Sequence, residues 1–547
     1  MRRDVSALGA DPFDILIIGG GIHGAFAAWE ASLRGLRAAL VERDDFASGT
    51  SANSLKIAHG GLRYLQRLDF GRMRRSSAER SSLIRLAPHL VRPLPFLVAT
   101  RGTGRESRTA FRTAFALNDL ITWDRNRGLP PGARIPAGRL LGRAECLARF
   151  PGFDGRGLSG GALWYDGQIL HTERLVMAVI LAAAEAGAIV ANYAEAVELR
   201  SENGRIAGAL VADRLGGGSI AVRARAVVNA AGPWAEQIGS RMQRSAPRRY
   251  ARAMNLVLRR QVADCAVGFR SRTSAAEDPI NGGKRFLFCC PWRKHTLAGT
   301  AYTVDPGDRR PASMEEITAF LDEVNDACPA LGFSADQVTF FHWGLVPLKD
   351  GREPGRWNAL AERSQIVDHT AAGLRGLVTV IGPKLTTARQ VAARAVAMAA
   401  GAVGKASRAP RRPDRLGSSE PGAGPAGEQD PRLHQLYGVH AGAVTTVMAE
   451  RPGWSEPLAE GIPVRCGEIV YAVREEMAQR LTDIVFRRTE LGSAGVPPAE
   501  ALETAARIMG DALGWSPEQR QHELATVYSA YAPLRVTTTG SQVGRAG

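Results

Sequence analysis

The chain has 547 residues, 45% hydrophobic and 23% charged, which suits two or three globular domains and excludes a fibrous or disordered class. Its formal net charge of +16 favours anionic partners, although an arginine-rich proteome explains it equally well. The six cysteines form no CxxC pair, so reduced thiols and no metal site are expected; the N-terminus shows no apolar h-region before Asp14, and no run of 18 or more apolar residues predicts a spanning helix.

In chain order, residues 14–18 predict a short buried strand. Residues 24–35 carry small and apolar residues at helical spacing and stop at Gly35, and 37–43 form a second strand ending in Glu42. A polar loop covers 44–61, and an amphipathic helix over 72–86 is stopped by Pro88. Residues 174–190 read as a helix running into a strand, and 203–235 as meandering strands followed by a glycine turn. From about 250 to 350, β-rich runs with one acidic helix at 314–327 predict an inserted antiparallel sheet; "RFLFCCPW" places Cys289 and Cys290 in a buried strand. Residues 376–404 return to strand, turn and helix. The Pro-, Gly- and Ser-rich stretch 405–431 reads as a linker, 432–532 as a helical domain and 533–547 as a tail.

The stretch "DILIIGGGIHG" puts Gly19, Gly21 and Gly24 directly after a strand and at the mouth of a helix. Gly19 permits the tight turn, Gly21 lets a pyrophosphate approach the backbone, and Gly24 permits close helix–strand packing. Glu42 ends the next strand, where a carboxylate accepts hydrogen bonds from a ribose diol and repels a 2′-phosphate. Two further strand–turn segments follow, one with Ala230 and Gly232, the other with Gly382, Lys384, Leu385 and Thr386. Three such segments fit one long FAD better than NAD, which would need only the first. The expected fold is therefore α/β: a Rossmann-like FAD-binding domain (about 12–100, 165–240 and 355–404), an inserted antiparallel substrate domain (about 245–350) and an all-α C-terminal domain. The hydroxyl-rich residues Ser48 to Ser54 suit phosphate and ribitol oxygens, and the fork of Arg63 beside Tyr64 suits an anionic substrate group.

The stretches "TSANSLKIAHGGLRYL", "ERSSLIRLAPHLVRPLPFLV", "VVNAAGPWA", "GPKLTTARQVA" and "GEIVYAVREEMAQRLTDIVFRRTELG" are similar to the FAD-dependent glycerol-3-phosphate dehydrogenases, within the D-amino-acid oxidase-like flavoproteins. The resemblance runs from about 12 to 530. It implies that Ser51, Ser54, Lys56, His59 and Gly60 lie along the flavin, and that Arg63, Tyr64, Lys384 and Arg363 hold an anionic substrate. It implies oxidation of glycerol 3-phosphate to dihydroxyacetone phosphate, with a quinone at the inner face of the cytoplasmic membrane, or oxygen, as electron acceptor. Three departures stand out: Asn255 where the family has histidine, Val346 where it has arginine, and Tyr302 in an altered Gly-Thr-Thr-Asp. They leave open another phosphorylated polyol, a hydroxy acid or an amino acid as substrate, and a non-catalytic FAD-binding redox sensor. His59 and His342 are the candidate bases, since a neutral imidazole suits proton abstraction near neutral pH. Arg72, Arg74, Arg75, Arg80 and Arg85 on helix 72–86 offer either a lipid-facing surface or an ordinary solvated one. Scattered basic residues without interleaved aromatics argue against nucleic acid, and a homodimer is left open.

Overall fold

The computed structural model describes residues 1–239, 248–272, 280, 285–349, 359–404, 413, 415–417 and 430–535. The expected linker 405–431 and tail 533–547 lie almost wholly outside these residues. Among the described residues, all six cysteines are buried and unpaired.

Two sheets organise the catalytic half. The first runs in the order Gln365–Asp368, Leu377–Ile381, Ser219–Asn229, Phe13–Ile18, Ala38–Val41 and Ile189–Ala191. Its last five strands are parallel. Phe13–Ile18 is buried on both faces, which explains its unbroken apolar run. Ile15 and Ile17 pack with the helices Ile22–Leu33, Thr172–Glu185 and Ala388–Val403, while Leu16 and Ile18 face the meander of Ala194–Glu202 and Arg205–Asp213.

The second sheet takes in Val338–Pro347, Tyr250–Leu258, His295–Val304, Phe286–Trp292, Ala266–Arg270, Val91–Arg101, Leu158–Ile169 and Ile57–Ala58, in that order. This corrects the expected insertion at 245–350: strands from residues 57–58, 91–101 and 158–169 belong to the same sheet. Val91–Arg101 joins the two parts by pairing in parallel with Ala266–Arg270. Met254, Leu256 and Leu258 turn one face toward the helix Met314–Ala327, which a Ser313–Glu316 capping box starts. The opposite pleat carries Asn255 toward Leu55.

The C-terminal helices, Pro431–Tyr437 through Ala532–Arg535, enclose a core including Val444, Ile469, Leu481, Val485, Leu502, Met509 and Tyr531. The motif 467–492 is not one helix. It breaks after Cys466–Glu475 at Met477 (φ 56°) and resumes through Leu481–Asp483 and a π-helical turn at Ile484–Arg488.

The helix Phe70–Leu86 does not present the cationic face that its arginines suggested. Arg80 is buried against Asp166, Arg72 pairs with Glu362, Arg74 with Asp124, and Arg85 donates to Arg127 O; Arg75 is left exposed. Arg72, Arg74 and Arg80 are thus matched by carboxylates of the fold, whereas Arg75 is not buried. No helix among the described residues is long and apolar enough to cross a membrane.

Candidate active site

Ile18, Asn229 and Ile381 end three neighbouring parallel strands, so their glycine turns emerge at one edge of the sheet. Gly19 has φ +104°, and a Cβ there would lie 2.7 Å from Ala230 O. A Cβ on Gly24 would lie 1.8 Å from Gly19 O, so only glycine lets the helix start this close to the strand. Gly21 faces Ser51, whose hydroxyl accepts the Ile22 N–H at 2.9 Å. Glu42 accepts N–H groups of Gly20 at 2.6 Å and Asp44 at 2.9 Å. Burial outweighs these bonds and pushes its carboxyl up to about 7. Ala230 donates to Ile18 O at 2.8 Å, and Gly232, at φ +58°, opens the short turn Gly232–Trp234.

The third turn packs on the first. A Cβ on Gly382 would lie 2.1 Å from His23 Nε2, so glycine is needed there for an imidazole that the sequence did not single out. That nitrogen is buried with no hydrogen-bond partner among the described residues, and burial lowers the His23 pKa to about 4, leaving the ring neutral at working pH. Leu385 packs into the core behind, and the Thr386 hydroxyl accepts the His59 N–H at 3.1 Å.

His59 and Gly60 are fixed from several sides. Ser76 donates to His59 O at 2.8 Å, and Gly60 N–H donates to Asp166 Oδ1 at 2.5 Å. Arg80 donates to the same oxygen at 2.8 Å. Asp166 Oδ2 stands 3.6 Å from His59 Nδ1, while the imidazole is 54% exposed. Burial would raise the Asp166 carboxyl, but His59 and Arg80 outweigh it and hold it below its ordinary value. Asp166 and Arg80 are the residues that sequence reasoning missed. A signal existed: an acid interrupts the apolar strand "GALWYDGQIL".

Lys384 donates to the Tyr64 hydroxyl, and its ammonium lies 4.6 Å from the Tyr64 ring centre; Arg72 stacks on that ring at 4.9 Å. Arg63 is exposed and makes no hydrogen bond or ion pair to a described residue. Arg363 is 72% exposed and pairs with Asp69 at 3.3 Å, beside the Arg72–Glu362 pair, so it sits on a charged rim rather than packing on Lys384.

Three other candidates are built into the interior. Lys56 is fully buried, its ammonium held by Glu173 at 2.9 Å, Thr172 Oγ1 at 3.1 Å and Ala52 O at 3.3 Å; Ser54 accepts the Lys56 N–H at 3.1 Å. His342 is buried edge-on between Trp292 and Phe340, and burial drives its pKa well below the ordinary value. Asn255 lies between His342 and Gly299 in register and accepts from Thr300 Oγ1 at 2.8 Å. The Lys56 and Asn255 side chains are thus engaged by protein, and neither they nor His342 join the His59–Lys384 cluster.

The family model of FAD-dependent oxidoreductases matches residues 14–382, and that of the C-terminal domain of alpha-glycerophosphate oxidase matches 423–520. A glycerol-3-phosphate dehydrogenase of Synechocystis sp. is 31% identical over 543 residues, covering 93% of this chain and 94% of that protein. Glycerol-3-phosphate dehydrogenase 1 of Mycobacterium tuberculosis is 36% identical over 508 residues, covering 89% and 93%. A glycerol-3-phosphate dehydrogenase from Bacillus halodurans, solved with FAD, shares the fold at 23% identity and a TM-score of 0.74, covering 97% of this chain and 96% of that one. The chain therefore belongs to the FAD-dependent oxidoreductases, in the glycerol-3-phosphate dehydrogenase family, with FAD as its cofactor.

Proposed function

We propose that this protein oxidises the secondary hydroxyl of glycerol 3-phosphate to dihydroxyacetone phosphate at the cluster of His59, Tyr64 and Lys384. The residues at the sheet edge fit FAD. Gly19, Gly21 and Gly24 keep side chains away from the helix start, where backbone N–H groups and the helix dipole suit a pyrophosphate. Glu42 suits the adenosine ribose, Ser51 and Ser54 lie on the adjoining loop, and His59, Gly60 and Thr386 suit the flavin end. Bound FAD supplies the two-electron acceptor for the oxidation.

Lys384 and Tyr64, with Arg63 beside them, hold the phosphate dianion; each charge-assisted hydrogen bond contributes roughly 1.5–3 kcal/mol. His59 Nε2 takes the hydroxyl proton, and Asp166 at its Nδ1 side orients the ring and stabilises the imidazolium that forms. The observation supporting this reading is the bond from the His59 backbone N–H to Thr386 Oγ1, which joins segments 327 residues apart and puts residue 59 beside the turn that carries Lys384. Anaerobic titration of the purified flavoprotein tests it. Glycerol 3-phosphate should bleach the flavin, whereas glycerol, lactate and amino acids should not. An unchanged flavin spectrum with glycerol 3-phosphate rejects the reading.

A second reading rests on Asn255 and Val346. With Asn255 bonded to Thr300 and an apolar side chain at 346, this sheet face offers less positive charge, which favours a larger or less charged hydroxy acid. Bleaching by such an acid alone would select it, and no bleaching by any of them would select the redox sensor. The resemblance supports quinone as the acceptor, and peroxide formation in air would mark oxygen instead.

A further inference from the structure

The motif 467–492 contributes no group to the His59–Lys384 cluster, yet Glu476, Asp483 and Arg488 within it are fully buried. Arg488 reaches the loop that runs along the first glycine turn, while Glu476 pairs with Arg174 and Asp483 with Arg487 and Tyr193. Asp45 opens this loop. Its carboxylate accepts Arg487 Nε at 2.5 Å, Arg488 Nη1 at 2.8 Å and Nη2 at 2.7 Å, and Asn192 Nδ2 at 3.1 Å. Arg488 Nη2 also donates to Glu476 O at 3.0 Å, while Arg174 binds both Glu476 oxygens at 2.8 and 2.7 Å. Asp483 accepts Arg487 Nη2 at 2.6 Å and the Tyr193 hydroxyl at 2.7 Å.

Lys56 closes the loop and is tied to the same motif through a relay. Its partner Glu173 faces His171 Nδ1 at 3.5 Å, and His171 Nε2 faces Glu490 at 3.2 Å. Arg293 pairs with Glu490 at 3.3 Å. Between the two ends, Ala47 N–H donates to Gly20 O at 3.1 Å and Ser51 meets the helix start. Left-handed backbone at non-glycine residues gathers at this junction: Ala47 (φ 62°), Lys56 (φ 58°), Tyr193 (φ 51°) and Met477 (φ 56°). Such conformations persist only where the surroundings over-determine them.

We infer that the C-terminal region is a built part of the cofactor site: through Arg487, Arg488 and Glu490 it holds both ends of loop 45–56, so FAD binding and docking of this region are coupled. The inference rests on the reading of that loop as a cofactor loop. The physical reason is that neither side of a buried charge network tolerates losing the other. A ligand that orders the loop must therefore also favour docking, and the coupling is reciprocal. Arg488 and Glu490 are positioning residues, acting through Asp45 and through the His171–Lys56 relay.

Hydrogen–deuterium exchange on the full chain, FAD-stripped and FAD-loaded, tests this without any substitution. FAD should slow exchange about tenfold in peptides covering 18–24, 45–56 and 480–490, and leave 441–449 unchanged. Protection at 18–24 and 45–56 without 480–490 overturns the coupling. Protection at 18–24 alone overturns the loop reading beneath it. A second arm follows FAD release from holoenzyme by flavin fluorescence. Arg488→Met should speed release about tenfold, and Arg488→Lys, which keeps the charge but loses the two-pronged bond to Asp45, should fall between the two. Unchanged release from the Arg488→Met holoenzyme overturns the inference; if that variant does not fold, the exchange experiment still decides.

Discussion

Glu42 is where burial and binding oppose each other. An unfolded chain ionises it near 4.5, while the folded free chain keeps it protonated up to about 7. Between these values the folded state holds a proton that the unfolded state has released, so Glu42's contribution to stability falls as pH rises through that window. In its proposed role the ionised form holds ribose hydroxyls best, since both of its oxygens accept. FAD affinity of the stripped chain should therefore strengthen between about pH 6 and about pH 8, by up to about tenfold, and Glu42→Gln should bind more weakly with a flat pH profile; flavin fluorescence titration reads both. At Asp166, replacing the carboxylate by an amide keeps the shape and removes the charge facing His59 and Arg80. Asp166→Asn should lower kcat about 10²-fold with flavin content retained, measured by steady-state assay and absorbance. Full activity in this variant would remove Asp166 from the chemistry.

At the scale of elements, the contact between the strand Phe13–Ile18 and the helix Ile22–Leu33 sets the site. Gly24→Ala pushes a methyl into Gly19 O, and the helix must lift off the sheet edge. We expect loss of bound FAD and a stability loss of about 1–3 kcal/mol, read by flavin absorbance and thermal melting. Gly35→Ala is the matched control, because its φ of +73° is strained for alanine but nothing lies within reach of the new Cβ. It should lower Tm while leaving FAD bound, so losing FAD there would mean general weakening rather than a local crease. The helix Phe70–Leu86 teaches the converse. Its arginine-rich pattern looked like a surface feature, and only the positions of Asp166, Glu362 and Asp124 turned it into an internally paired one.

For the whole molecule, the charge network between the cofactor loop and the C-terminal helices sets the response to acid. Burial would raise Asp45 and Glu490, but Arg488 and Arg487 hold the first, and His171 and Arg293 the second, down to about 2. Both carboxyls ionise near 4 when unfolded, so their contribution is present above that value and is lost as pH falls toward about 2. Acid should release FAD in this window together with exposure of the C-terminal core, followed by flavin and tryptophan fluorescence. Asp45→Asn should already be destabilised at neutral pH, by about 3–5 kcal/mol for a broken buried pair. Much of the candidate site could be proposed from sequence because its signals are local: a glycine crease, an apolar strand and an acid at the next strand's end are all written within about thirty residues. The sequence by itself thus determined the α/β class and FAD as cofactor, and it pointed to the first glycine turn and the His59–Tyr64 segment as the proposed site. Tertiary structure alone decided that Asp166 stands beside His59, that Val91–Arg101 joins the second sheet, and that Arg488 meets Asp45 from 443 residues away. Backbone conformation follows from neighbours along the chain, whereas the partner of a buried charge follows from the path of the whole chain, which no short stretch encodes.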